Sequence, residues 1–153
     1  MVRDKVYPYE DAETTLVSLE NHDGQDIDYY IGPKNESYGL EASPFMNPFN
    51  HSRKGYKGAV EHYKLYFYRR YLNEPDFKEL AHELKGNRLA GWCYPRPSHG
   101  EVIIDLLDAH TEDGRDGVIE HIEEEIADID KTELGVKGFR EYEAAKEALE
   151  ENK

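Results

Sequence analysis

Cysteine is almost absent from this chain: Cys93 is the only one in 153 residues. A single thiol excludes an internal disulfide framework and a thiolate-rich zinc site, which need several. Long apolar runs are missing as well. None approaches the roughly 20 residues that span a bilayer, and residues 1–15 lack the apolar stretch of a secretory leader. These absences predict a soluble, cytoplasmic protein with no membrane partner. Positive charge is scarce too, with 19 Lys and Arg against 33 Asp and Glu and a net charge of −14. Such a surface repels polyanions, so duplex nucleic acid is disfavoured as a partner.

The scarcity is uneven along the chain. Residues 1–50 carry ten acidic and three basic side chains, residues 101–153 eighteen and six, but residues 51–100 carry five and ten. A basic island in an acidic shell focuses its field on a compact anion, which points to a small phosphorylated or carboxylated ligand. The alternative is helix faces that alternate charge for solubility alone. The acidic excess also suits a salt-rich cytoplasm, although eleven lysines argue against extreme halophily.

Apolar periodicity organises the rest. Residues 14–20 and 27–32 read as strands, the second ended by Gly32-Pro33. Residues 33–55 are rich in Gly, Pro, Asn and Ser, and a connection this long is usually functional or mobile. Phe45, Met46 and Phe49 within it predict an ordered loop that packs down. A helix follows over 56–72 with Val60, Tyr63, Phe67 and Tyr71 on one face; it also displays Tyr56, Tyr66 and Tyr68, and tyrosines at such spacing are more often core and rim than a stacking platform. A second helix spans 75–85, with Pro75 in its first turn and Gly86 as its C′ residue. Residues 88–93 form a short buried strand, and Ser98-x-x-Glu101 reads as a capping box before a helix over 100–110. After a polar break at 111–117, apolar stripes mark acidic amphipathic helices at 118–130 and 139–150. Each stripe must be buried, on the core or against another subunit.

The expected fold is α/β, a small sheet of three or more strands packed with helices, plus acidic C-terminal helices. The expected organisation is a core domain at 1–110 and an acidic helical extension at 111–153. Strand, proline-bent loop and helix start at residues 89–101 form the place where α/β proteins hold ligands, because backbone N–H groups and the helix dipole point there.

Tyr30-Ile31-Gly32-Pro33, Ser43-Pro44 with Asn47-Pro48-Phe49, and Leu89-x-x-Trp92-Cys93-x-Pro95-x-x-x-His99-Gly100 occur in that order. Together they resemble an uncharacterised family, a domain of unknown function found in bacteriophages and bacteria. Its pattern is an Asn-Pro-Phe loop followed by Cys-Trp-Cys-x-Pro-x-x-Cys-His-Gly. The resemblance covers about residues 14–108 and implies a viral or microbial setting, in the host cytoplasm or virion if a virus encodes the chain. Where the pattern has two further cysteines, this chain has Gly91 and Ser98. A shared metal role is therefore not expected, and a redox pair in the loop is excluded.

The candidate catalytic residues are Cys93 and His99. Cys93 is either an inert small hydrophobe at a strand end or a thiolate favoured by the helix start and Arg96. His99, expected as an exposed first-turn residue, would be kept neutral by the helix dipole and available as a base. The candidate ligand-binding residues are Asn47, Arg53, Lys54, Lys57, Arg96 and Ser98. Asn47 offers a donor and an acceptor together, or braces its loop. Arg53, Lys54 and Lys57 lie at a glycine-containing helix entry that suits a phosphate, without a P-loop pattern. No metal site is expected, and the sequence points to no particular cofactor.

Two functions follow. One is a small α/β enzyme or ligand-binding domain acting on a nucleotide-like or other phosphorylated small molecule. The other is a non-catalytic, virus-encoded accessory or virion component whose residues 118–150 bind a protein partner or a second copy.

Overall fold

The computed structural model describes residues 14–18, 28–48, 51–91, 99–129 and 134–153. The apolar runs and amphipathic stretches produce β1 (Thr15–Ser18), β2 (Tyr29–Tyr30), α1 (His51–Asn73), α2 (Pro75–Glu83), β3 (Arg88–Gly91), α3 (His99–Ala127) and α4 (Gly135–Asn152). The result is the expected small α/β fold. β3 lies between β1 and β2 and runs parallel to both, with Leu16 and Tyr29 each in register with Leu89. A central parallel strand is covered on both faces and needs apolar side chains on each. Leu89 and Ala90 meet that need and are fully buried.

Polar side chains pin the start of the sheet. The Gly86 N–H donates to Thr14 Oγ1 (2.8 Å) and the Arg88 N–H to Asp28 Oδ2 (2.8 Å). The Asp28 carboxylate, which is out of water, also faces Arg88 Nε at 3.7 Å. These bonds hold β1 and β2 against β3 although β2 is only two residues long.

α1 is the hub of the helical layer. It begins at His51 rather than Tyr56, because the polar 51–55 segment follows helical geometry despite lacking an apolar stripe. Tyr63, Phe67 and Tyr71 are buried as the spacing predicts. Tyr68 is buried too, as a core position, because α3 covers that side and sets His121 edge-on to its ring at 6.2 Å. Each fully buried large apolar side chain is worth about 1.5–3 kcal/mol, and the burial of Tyr63, Leu65, Phe67, Tyr68 and Tyr71 requires partners for α1 on several sides.

The acidic helices supply them. Ile122, Ile126, Tyr142, Ala145 and Leu149 join the buried cluster that contains Tyr63 and Leu106. Lys64 Nζ lies 3.0 Å from Glu125 Oε1, and Arg69 Nε lies 3.3 Å from Glu141 Oε2. The basic face of α1 is thus matched to the acidic C-terminal segment. The polar break expected at 111–117 is compressed into two residues within α3, Asp113 (φ −134°) and Gly114 (φ +62°, ψ −145°). Only glycine reaches that second conformation easily.

Candidate functional site

Ligand sites of parallel sheets lie beyond the carboxyl ends of the strands. Here that end receives three segments. Ile31 continues β2, donating its N–H to Ala90 O at 2.9 Å, and its side chain is fully buried. Gly32 O accepts the Ser43 N–H at 2.9 Å, which brings the 43–48 loop back to the sheet. The N-terminus of α3 settles on top. A Cβ on Gly100 would lie 2.6 Å from Leu16 Cδ1 and 3.0 Å from Ile31 Cδ1, so only glycine permits this approach without displacement.

The loop is ordered by its own chemistry. The Phe45 N–H donates to Ser43 Oγ at 3.0 Å, the hydrogen bond of a local serine turn. Phe45 then inserts between Phe77, at a centroid distance of 5.0 Å, and Phe67, at 6.5 Å. Its burial accounts for the packed-down loop the sequence predicts. Asn47, two residues on, is half-buried.

His99 corrects the expectation of an exposed first-turn residue: it is 6 % exposed. Its Nε2 lies 2.6 Å from Ile31 O. A carbonyl can only accept, so Nε2 carries a proton, and Nδ1 is the basic nitrogen whenever the ring is neutral. The ring stands edge-on to Tyr63 at 5.0 Å. Tyr63 Oη in turn donates to Phe45 O at 2.8 Å. Burial, with a smaller contribution from Tyr66, pushes the Tyr63 hydroxyl well above its ordinary pKa, so it remains a donor.

Tyr63 therefore joins the 43–48 loop to His99, two sites 52 residues apart. It was read from the sequence as a core position, and it is one. The available clue was its hydroxyl: a tyrosine on a stripe shared with Phe67 must find an acceptor when buried.

The other candidates divide into two groups. Arg53, Lys54 and Lys57 lie on the first turns of α1, and their side chains are outside the described residues. The helical rise places Lys57 and Arg53 roughly 9 and 15 Å from Tyr63 along the axis. Cys93, Arg96 and Ser98, with the capping box that Ser98 would open, lie outside the described residues altogether. Among the described residues the structure brings Asn47's loop and His99 to the same end of the sheet.

No curated protein and no solved structure matches the chain. Residues 17–109 match the family described as Domain of unknown function (DUF4326), from β1 to the first half of α3 and stopping short of the Asp113–Gly114 kink. Both the Asn47 loop and the strand-to-helix connection at 92–98 fall inside that match, whereas the second half of α3 and α4 lie beyond it. With well over half its length matched, the chain belongs to the DUF4326 family.

Proposed function

We propose that the carboxyl end of the sheet binds a nucleotide-like or other phosphorylated small molecule and that the protein acts on it as a small α/β enzyme. The observation that carries this reading is the Tyr63 bridge, which ties the Asn47 loop to His99 where parallel sheets hold ligands. Asn47 contacts the ligand's polar edge, and Arg53, Lys54, Lys57 and Arg96 neutralise its phosphate, with Ser98 at the helix start. His99, its tautomer fixed by Ile31 O, presents Nδ1 as a base, and Cys93 is the nucleophile candidate of this reading. The protein works in the cytoplasm, of a virus-infected or salt-adapted cell in the finer version of this reading.

A thermal-shift screen of nucleotides, sugar phosphates and inorganic phosphate tests it. A ligand at 100 times its Kd stabilises by about 2.7 kcal/mol, which is roughly 5–10 °C in melting temperature for a chain of this size. Asn47→Ala and Lys57→Gln should remove that shift. Absence of any stabilising phosphate compound, or a shift untouched by both substitutions, would sink the proposal.

One feature favours the binding-module reading. Val136 and Phe139, at the start of α4, are 74 % and 44 % exposed. In that reading the C-terminal helices present them to a protein partner, as an accessory or virion component would. Pull-down with wild-type protein against Val136→Ser/Phe139→Ser distinguishes the two.

A further inference from the structure

A second group of titratable side chains sits far from His99. His110, eleven residues later on α3, is roughly 16 Å away along the helix. Lys85 Nζ donates to His110 Nδ1 at 2.7 Å, so the neutral His110 ring carries its proton on Nε2. The His82 ring is 4.4 Å from that of His110, and Tyr71 Oη lies 2.5 Å from His82 Nε2. Beside these rings is a small cleft of about 40 Å³, bordered by Lys78, His110 and Arg115 and by the apolar Leu72 and Ile119.

Space decides what fits there. One water needs roughly 10–15 Å³, whereas pockets for organic ligands begin at about 300 Å³. The cleft therefore admits a water or a single atom-sized ion and nothing much larger. Charge decides between those two. Lys64, Arg69, Arg70 and Arg88 each face a carboxylate, but among the described residues neither Lys78 nor Arg115 has one within 4.0 Å. Arg115 Nη2 donates to Asn152 O, yet the guanidinium keeps its charge and its other N–H groups. Burial, then His110, Lys85 and Lys78, hold His82 down at about 4, and burial with Lys85 and Lys78 lowers His110. The charges acting on both rings are thus positive. A single water screens converging cations weakly, whereas an anion offsets them directly.

We propose that this cleft is a halide site, which takes chloride. Lys78 Nζ and the His110 Nε2–H are its donors, Arg115 adds charge, and Leu72 and Ile119 form its apolar side. The ion sits where two parts of the chain meet. Leu72 and Lys78 lie within the family match at 17–109, whereas His110, Arg115 and Ile119 lie beyond it. Chloride thereby strengthens the docking of the second half of α3 on the α1–α2 pair. None of these residues belongs to the sheet-end site proposed above, so the two readings stand or fall separately.

Histidine-labelled protein titrated with sodium chloride, with sodium gluconate holding the ionic strength constant, tests this by NMR. The His82 and His110 ring signals should shift saturably with one common Kd, while the His99 signals stay in place. Bromide should reproduce the pattern, and sulfate, too large for the cleft, should not. Lys78→Gln should weaken chloride binding about tenfold, the loss of one charge-assisted hydrogen bond, with the far-ultraviolet circular dichroism unchanged. A crystal of the wild-type protein soaked in bromide should show an anomalous peak between Lys78 and His110. Shifts that fail to saturate, that sulfate reproduces, or that persist unchanged in Lys78→Gln would overturn the proposal, as would a bromide-soaked crystal with no peak in the cleft.

Discussion

α3 carries one histidine at each end of its first half, and their surroundings are opposite. His99 is buried, donates to a backbone carbonyl and packs against Tyr63. His110 is half-buried, accepts from Lys85 and borders a cleft. The first is held by neutral groups that fix its tautomer. The second is surrounded by cations that disfavour its own charge. A histidine in the first setting is part of the fold even if it also does chemistry, whereas one in the second is available to whatever neutralises its neighbours. The same element thus serves packing at the sheet and gathers cationic side chains at the far end.

The largest expected effect tests the structural side of that contrast. His99→Ala removes a buried ring and leaves Ile31 O without its donor. An unsatisfied buried acceptor costs about 1–3 kcal/mol, and the cavity adds to it, so urea denaturation should show a loss of about 2–4 kcal/mol. His110→Ala should stay within about 1 kcal/mol. His99→Gln places an amide near the Nε2 position and should recover much of the stability. If ligand turnover then survives in His99→Gln, the imidazole is not the base. Equal losses for His99→Ala and His110→Ala would remove the distinction.

Gly100→Ala probes the same end by overpacking. Its Cβ would press on Leu16 and Ile31, whose side chains are confined by the sheet. A cost of about 1–3 kcal/mol is expected, read by thermal or chemical denaturation. Gly114→Ala, where nothing lies within 4 Å of a Cβ, meets no overpacking, but φ +62° with ψ −145° is close to glycine-only backbone, so strain alone should cost about 1–3 kcal/mol. No measurable penalty at Gly100 would mean that α3 does not seat on β1 and β2 as described.

Much of this architecture was legible in advance. The apolar runs located the three strands, and Pro75 marked the start of α2. The buried Phe45 followed from an apolar residue stranded in a turn-rich segment. The order β1-β3-β2 was not legible, because strand pairing depends on which runs are buried on both faces, and short apolar runs look alike. The start of α1 was missed since its first turns carry no apolar stripe. The exposure of His99 was misjudged: first-turn residues are usually wet, but Gly100 lets this turn descend onto the sheet. At the candidate site, the loop and the histidine were found by motif, and the tyrosine that links them was hidden among core aromatics.

The pH dependence of stability sharpens the other end. His82 titrates at about 4 in the folded protein against about 6.5 when unfolded. Between those values the unfolded chain binds more protons, so stability is fully present above about 6.5 and falls as pH drops towards 4. His110, lowered by burial and then by Lys85 and Lys78, adds in the same direction. Solvent screening of these half-exposed groups reduces the size well below the full linkage value. His82→Gln should flatten the pH 4–6.5 limb of a denaturation series. An unchanged limb would assign acid sensitivity elsewhere.

The smallest effect separates the two kinds of lysine. Lys64 faces Glu125 at 3.0 Å across the α1–α3 contact, so Lys64→Gln removes an attraction and should cost about 0.2–1 kcal/mol, the range for a solvent-accessible pair. Lys78 has cationic neighbours instead, and Lys78→Gln relieves repulsion from Lys85 and the two histidines once these protonate. Its effect on the ligand-free protein should be neutral or slightly stabilising, and more favourable at pH 5 than at pH 8. Salt should shrink both effects, since screening acts on attraction and repulsion alike. A double-mutant cycle with Glu125→Gln isolates the Lys64 pair, and the same cycle pairing Lys78→Gln with His110→Gln should give coupling of opposite sign at low pH. If both cycles showed attraction, the cleft would hold a compensating carboxylate, and the electrostatic difference between the two ends of α3 would disappear.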